Sequence, residues 1–450
     1  MKFRFWIAFY VAKIGQAFLR LLKRNATYFP GKVAIKICPQ FLKYIDRPTK
    51  IIAVTGTNGK TTVCNMINDI LIDNGYNVLN NRLGSNINSG IASSLIEHAS
   101  LINKTKKDLA VFEVDERSSI LIYKYIKPDY LVCTNLFRDS IKRNAHTDYI
   151  VDIINSALPE ETVVLANADD LISCSIGKQN QHIYFGIDKL DTDVEETTNI
   201  IKDIKTCPVC DTKLKYEYAR YHHLGKAYCP NCDFKSPESN FLVRNIDKER
   251  KEIIIKEDVK SYKYNMLSDS IFNIYNELAA ISILRVIGLS ATEINNSIKK
   301  IKIVETRLSE EVINDKKVIT HLSKGQNPVA ASRVFDYVKS VEGNKAVILI
   351  IDDCDDAKNS SENLTWLYDA DFELLNDESI KQIIIGGVRA NDYYLRLLLA
   401  GVPEEKLSKI EDELKTVNLI NQENVETIFI LHDIYKFDVA SKLKELLRNN

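Results

Sequence analysis

A short apolar run that breaks into a glycine turn and then into a helical pattern constrains this chain more than any other feature. Lys50-Ile-Ile-Ala-Val-Thr55 reads as a strand, and Thr61 to Asn74, closed by Gly75, reads as a helix. Between them runs Gly56-Thr57-Asn58-Gly59-Lys60-Thr61-Thr62. A Walker A loop would put glycine where Val54 stands, so the standard pattern fails. The shorter run keeps the physics. Gly56 and Gly59 let backbone N–H groups approach a phosphate, with Thr57 and Asn58 between them, and the helix N-terminus adds positive potential. Lys60 can reach the β- and γ-phosphates, Thr61 can offer its hydroxyl to Mg2+, and Thr62 ends the phosphate-gripping run.

Further strands are expected at Leu109 to Glu113, Tyr130 to Thr134 and Thr162 to Leu165, with helical stretches between them. That alternation implies a mostly parallel α/β sheet. A polar, hairpin-like stretch follows at 241–264, then a helix from Phe272 to Ile287. A second α/β alternation starts near Lys316, with strands at 318–322, 346–351, 380–385 and 427–431 and helices at 329–341, 390–400 and 435–447. These patterns divide the chain into a basic head (1–48), an ATP-binding domain (49–310) and a second α/β domain (311–450).

Inside the first alternation lie Cys207-Pro-Val-Cys210 and Cys229-Pro-Asn-Cys232, with 18 residues between the pairs. That spacing suits a tetrahedral four-cysteine zinc site in a ribbon insert over 205–236. The segment between the pairs is too small to bury a core, so the metal would hold it folded. Four thiolates leave no open position, which makes the zinc structural. Nine cysteines, four of them placed on zinc, suit a reducing compartment rather than a disulfide framework, and a cytoplasmic location is expected. A net charge of −1 argues against a general nucleic-acid binder.

The charge is unevenly spread. Residues 1–50 carry 11 Lys or Arg against the single acid Asp46. The basic head, Met1 to Arg24, is amphipathic, and its uncharged run from Phe5 to Ala12 is too short to span a membrane. Two readings stand side by side: a helix lying on the anionic inner face of a membrane, or a helix packing its apolar face on the protein's own body.

Among the acids of Phe112-Glu113-Val114-Asp115-Glu116, Glu113 stands nearest a strand end and is the candidate Mg2+ ligand. Thr134-Asn135-Leu136-Phe137-Arg138-Asp139 and Asn167-Ala168-Asp169-Asp170 follow two further strands.

The glycine–lysine loop, Glu113, the Thr-Asn-x-x-Arg-Asp run and Asn-Ala-Asp-Asp together resemble the Mur ligase family. The four-cysteine insert, Tyr275-Asn276-Glu-Leu-Ala-Ala280 and Trp366-Leu-Tyr-Asp-Ala-Asp-Phe-Glu373 narrow the resemblance to its MurT branch. Gly386-Gly-Val-Arg389 and Asp433-Ile-Tyr-Lys436 are also similar to that branch. The resemblance implies a Mur-type central ATPase domain with a zinc-ribbon insert and a Rossmann-like C-terminal domain. It implies ATP, Mg2+ and Zn2+ as cofactors, with Lys60 and Glu113 catalytic and Asn276 and Arg307 on the nucleotide. It implies amidation of the D-glutamate α-carboxyl of lipid II through an acyl phosphate, with ammonia supplied by a GatD-like glutaminase subunit. Two alternatives remain: a Mur-type ligase that adds an amino acid, and a nucleotide-regulated zinc-ribbon module that binds nucleic acid.

Two departures from the branch matter. The run after Arg138-Asp139 lacks the second acid of the family pattern. The position three residues before Trp366, where the branch carries the aspartate that completes the partner's glutaminase triad, is Asn363. An amide cannot stabilise an imidazolium as a carboxylate does. Asp355 and Asp356 are the nearby acids that could substitute.

Overall fold

A computed structural model of the chain describes residues 2–82, 85–139, 146–301, 308–323, 325–351, 364–421 and 423–449. Asn363, Asp355, Asp356 and Arg307 lie outside these described residues. The chain divides into two compact units. One comprises Met1–Phe137, His146–Thr197 and Asp203–Ile303, the other Arg138–Ala145, Thr198–Lys202 and Val304–Asn450.

In the first unit the strands are β1 (Lys50–Thr55), β2 (Val78–Asn80), β3 (Leu109–Glu113), β4 (Tyr130–Cys133), β5 (Val163–Asn167), β6 (His182–Ile187), β7 (Lys215–Tyr221), β8 (Leu224–Tyr228), β9 (Phe241–Asp247), β10 (Glu252–Glu257) and β11 (Lys260–Asn265). Nine of them form one sheet in the order β11-β10-β9-β6-β5-β4-β1-β3-β2. Pairing is parallel from β2 through to β9, with β10 and β11 antiparallel at the far edge. The hairpin-like stretch is antiparallel as expected, and β9 joins it to the main sheet through β6. Lys260-Ser-Tyr-Lys-Tyr-Asn265 is polar because an edge strand needs only one face covered. β1, by contrast, is buried along all but Lys50, as a central parallel strand must be.

The helix Lys60–Asp73 starts directly after the glycine turn and buries Val63, Ile67, Ile70 and Leu71. These positions recur every three to four residues, which is the period of one helical face. The helix Lys2–Leu21 buries Phe5, Ala8, Phe9, Ala12 and Gln16. The Phe5 ring stacks on Phe41 with 5.2 Å between centroids, and Tyr10 OH donates to the Leu101 carbonyl at 3.1 Å. Packing on the protein's own body is thus one true half of the reading of the basic head. Among the described residues, no helix is long and apolar enough to cross a membrane.

The second unit holds β12 (Leu308–Ile313), β13 (Lys316–Leu322), β14 (Lys345–Ile350), β15 (Ile380–Gly386), β16 (Leu407–Ile410) and β17 (Thr427–His432) in the order β12-β13-β17-β14-β15-β16. All pairs are parallel except β12 with β13. β14 and β17 are buried at every residue, and helices cover both faces of the sheet. The alternation begins at Leu308 rather than near Lys316. Leu308-Ser-Glu-Glu-Val-Ile313 escapes pattern recognition because only Ile313 of this edge strand is buried.

Candidate active site

The carboxyl ends of β3, β1 and β4 lie side by side, with Val54 opposite Glu113 and Thr55 opposite Cys133. In an open parallel sheet this edge is where ligands bind. The glycine turn rises from β1 at that edge. Gly59 caps the following helix with φ +86°, and a Cβ there would sit 2.0 Å from Asn276 Oδ1. Only glycine allows this backbone to pass so close to Asn276. The structure thereby brings the candidate nucleotide residue Asn276 against the loop.

Hydrogen bonds from the next strand's exit hold the loop. Thr57 N donates to the Asn135 carbonyl at 2.8 Å, Asn58 N donates to Asn135 Oδ1 at 3.1 Å, and Thr134 Oγ1 donates to the Asn58 carbonyl at 2.6 Å. Thr57 Oγ1 adds a bond to the Phe137 carbonyl at 3.0 Å. The Thr-Asn motif is thus the frame of the glycine loop. Asn58 Nδ2 is buried with no hydrogen-bond partner among the described residues. An orphaned donor in a glycine loop suits an anionic ligand.

Lys60 Nζ donates to Glu116 Oε1 at 2.7 Å and to the Gly56 carbonyl. Burial alone would lower the Lys60 pKa. Glu116, then Glu113 and Asp115, outweigh it and raise the value, so the ammonium stays charged. Burial likewise raises the Glu116 carboxyl, against the pull of Lys60. Glu116 is the partner that sequence reasoning passed over. The only signal for it was its place as the third acid of Glu113-Val-Asp-Glu116.

Thr61 Oγ1 donates to Glu113 Oε2 at 2.8 Å. Asn86 Nδ2 donates to Glu113 Oε1 at 3.0 Å, and Asn81 bonds both the N–H and the carbonyl of Glu113 at 2.9 Å. Two hard oxygens, one hydroxyl and one carboxylate, face each other in a fixed frame, and that donor set fits Mg2+. Thr62 lies half-buried beside them. Arg138, in the second unit, stands 3.7 Å from the Asp369 carboxylate.

Asn167-Ala-Asp-Asp170 does other work. Asp169 Oδ2 accepts from Tyr275 OH at 2.5 Å, Ile187 N at 3.0 Å and Arg220 Nη1 at 3.2 Å. Arg220 also meets Asp193 at 2.7 Å, and Asp170 Oδ1 lies 3.1 Å from His223 Nε2. Both Arg220 and His223 belong to the β7–β8 hairpin, so this motif clamps the insert to the sheet. At the insert's tip the sulfurs of Cys207, Cys210, Cys229 and Cys232 lie within 4.8 Å of one another. Val209 N and Asn231 N each point at a sulfur, Cys207 and Cys229 respectively, at 3.4 Å.

Residues 54–232 match the Mur ligase middle domain, and residues 324–435 match the MurT ligase C-terminal model. The chain is 31% identical over 403 residues to the MurT subunit of lipid II isoglutaminyl synthase (glutamine-hydrolyzing) of Staphylococcus aureus strain COL, covering 89% of each chain. It is 32% identical over 411 residues to the MurT subunit of Streptococcus pneumoniae, covering 89% of this chain and 88% of that one. In fold it is similar to a pseudomurein peptide ligase type C from Methanothermus fervidus, with a TM-score of 0.66 at 21% identity over 91% of this chain and 80% of the other. With that degree of likeness along nearly its whole length, the chain belongs to the Mur ligase family, on its MurT branch, and is an ATP-dependent carbon–nitrogen ligase.

Proposed function

We propose that this ligase amidates the α-carboxyl of D-glutamate in the stem peptide of lipid II. ATP transfers its γ-phosphoryl group to the carboxylate, giving an acyl phosphate and ADP. Ammonia attacks the acyl carbon, phosphate leaves, and D-isoglutamine remains. What carries the reading is the constellation at the sheet edge: a charged Lys60, the Thr61–Glu113 pair and the unpartnered Asn58 amide on one glycine loop.

In this reading Lys60 neutralises the β- and γ-phosphates and leaves Glu116 as ATP arrives. Gly56, Thr57, Asn58, Gly59 and Thr62 present the loop to the phosphates, and Asn276 and Arg307 meet the rest of the nucleotide. Thr61 and Glu113 would hold Mg2+, which supplies charge neutralisation at the transferring phosphoryl group. Cys207, Cys210, Cys229 and Cys232 hold one structural Zn2+. The donor chemistry supports this, since four soft sulfurs with two backbone N–H groups aimed at them suit that ion.

Ammonia comes from a GatD-like glutaminase subunit, because the relatives of matching length are named as subunits of a glutamine-hydrolysing synthase. The test is incubation of the purified chain with ATP and the lipid-linked precursor, plus either ammonium or free amino acids, read by product mass. Conversion of a carboxyl to a carboxamide with ammonium supports amidation, and addition of an amino acid refutes it. With the partner present, Asn363→Asp should raise glutamine-dependent turnover and leave ammonium-dependent turnover unchanged. If the substitution has no effect on a wild type that already uses glutamine well, alanine at Asp355 and at Asp356 identifies the acid that serves instead.

A further inference from the structure

The helix Lys2–Leu21 has two apolar faces, and the body of the protein covers one of them. Phe5, Ala8, Phe9, Ala12 and Gln16 face inward. Phe3, Ile7, Ile14, Phe18 and Leu21 form a second stripe that is left bare, with Phe3 77%, Ile14 69% and Leu21 80% exposed. At 3.6 residues per turn, the two sets point to opposite sides of the helix. The helix is therefore fixed to the body by one side and offers the other as an unbroken apolar ridge.

Cations border the ridge. Lys2, Arg4, Arg20, Lys23 and Arg24 are all exposed, and residues 1–50 contain no acid but Asp46. Arg20 pairs with Glu97 on a neighbouring helix, while Lys13 is turned inward to the Ala99 carbonyl. A ridge of this composition is an exposed patch that needs an explanation. A second copy of the chain would bring the same cations face to face. A polyanionic strand would satisfy the cations and leave the Phe, Ile and Leu side chains in water. An anionic bilayer surface satisfies both at once, with the apolar ridge in the acyl boundary and the basic rim among the headgroups.

We propose that this outward face seats the protein on an anionic lipid surface, as a monotopic contact. The inference deepens the proposed reaction, since a lipid-linked substrate would be met at the plane in which it lies.

The test uses the full chain with vesicles rich in phosphatidylglycerol, compared with vesicles of phosphatidylcholine alone. The wild type should sediment with the anionic vesicles, and added salt should release it. Ile14→Asp with Phe18→Asp should lower the partition by about tenfold or more, without changing the melting temperature, because both side chains stand in solvent. Lys23→Glu with Arg24→Glu should weaken binding to the anionic vesicles. The idea is overturned if the wild type does not sediment, or if the double aspartate variant binds as well as wild type. It is also overturned if that variant only converts a dimer into a monomer. Turnover on detergent-solubilised precursor keeps the two readings apart. An aspartate variant that has lost vesicles should retain it. Loss of that turnover in the wild type would strike the ligase chemistry alone.

Discussion

The glycine loop and the four-cysteine insert are both short, tightly turned segments of the first unit, yet they are held by opposite means. The loop stands on a nine-stranded sheet and borrows its rigidity. Its backbone is pinned by Thr134 and Asn135 at the next strand's exit, and its side chains are bonded within the site, Lys60 in an ion pair with Glu116 and the Thr61 hydroxyl to Glu113. The insert has almost no core, its buried apolar cluster being Leu171, Leu214 and Ala227 with Cys207 and Cys229. Its four cysteine sulfurs gather within 4.8 Å of one another, and the Asp169–Arg220 and Asp170–His223 pairs clamp its base. A segment can be ordered by a core it sits on, or by cross-links where it has none. The two modes should fail differently.

The largest contrast is expected on removing sulfur. Protein purified under reducing conditions should carry one Zn2+ per chain, measured by metal analysis. Cys207→Ser with Cys229→Ser should abolish it and open 205–236 to proteolysis. Nucleotide binding at the loop should survive, because the sheet supports it. Metal-free wild-type protein would refute the zinc assignment, and loss of ATP binding in the variant would erase the distinction between the two regions.

Lys60→Ala should do the reverse. Acyl-phosphate formation should fall by about 10³-fold or more, since the variant loses a cation at a transferring phosphoryl group. The metal content of the insert should not move. Near-normal phosphoryl transfer would show that the loop is not the phosphate site.

At the base of the insert, Arg220→Met leaves the Asp169 and Asp193 carboxylates buried without their cation. Breaking a buried pair in this way should cost about 3 kcal/mol in urea unfolding, the low end of the usual range. Tyr275 and Ile187 still donate to Asp169, which limits the loss. An unchanged unfolding midpoint would mean that the clamp adds nothing beyond the sulfur cluster.

A pH-dependent effect of similar size sharpens the loop side. Glu277 follows Asn276 on the helix Ile271–Val286, where burial pushes its carboxyl up from 4.5 to about 8 against one hydrogen bond from Leu267 N. The folded chain therefore keeps a proton that the unfolded chain releases between pH 4.5 and about 8. Its contribution is complete below that window and declines as pH rises through it. Glu277→Gln should remove the decline, making the variant more stable than wild type at pH 8 by roughly 2–4 kcal/mol and nearly equal at pH 5. Parallel stability curves for the two proteins would rule out this titration.

Much of this was legible in the residues alone. The Lys50–Thr55 strand, the glycine turn and the helix after it announce themselves, because hydrophobic period and backbone sterics act over neighbouring residues. The cysteine pairs, whose sulfurs do come together, are legible for the same reason, since the spacing within each pair is a local property of the chain. Glu113 could be placed at a strand end before its geometry was known. The partners could not. Whether Lys60 meets Glu113 or Glu116 depends on which way a turn of three residues points, and Asp115 decides that by capping it.

The role of Asn167-Ala-Asp-Asp170 was hidden because its partners, Arg220, His223 and Tyr275, lie some 50 to 106 positions away. Edge strands such as Leu308–Ile313 were faint because they bury too little to impose a period. For the basic head, composition by itself established an amphipathic cationic helix. Only the tertiary structure decided that its inward stripe is covered and its outward stripe is bare, since burial is a property of what packs against a residue and not of the residue itself.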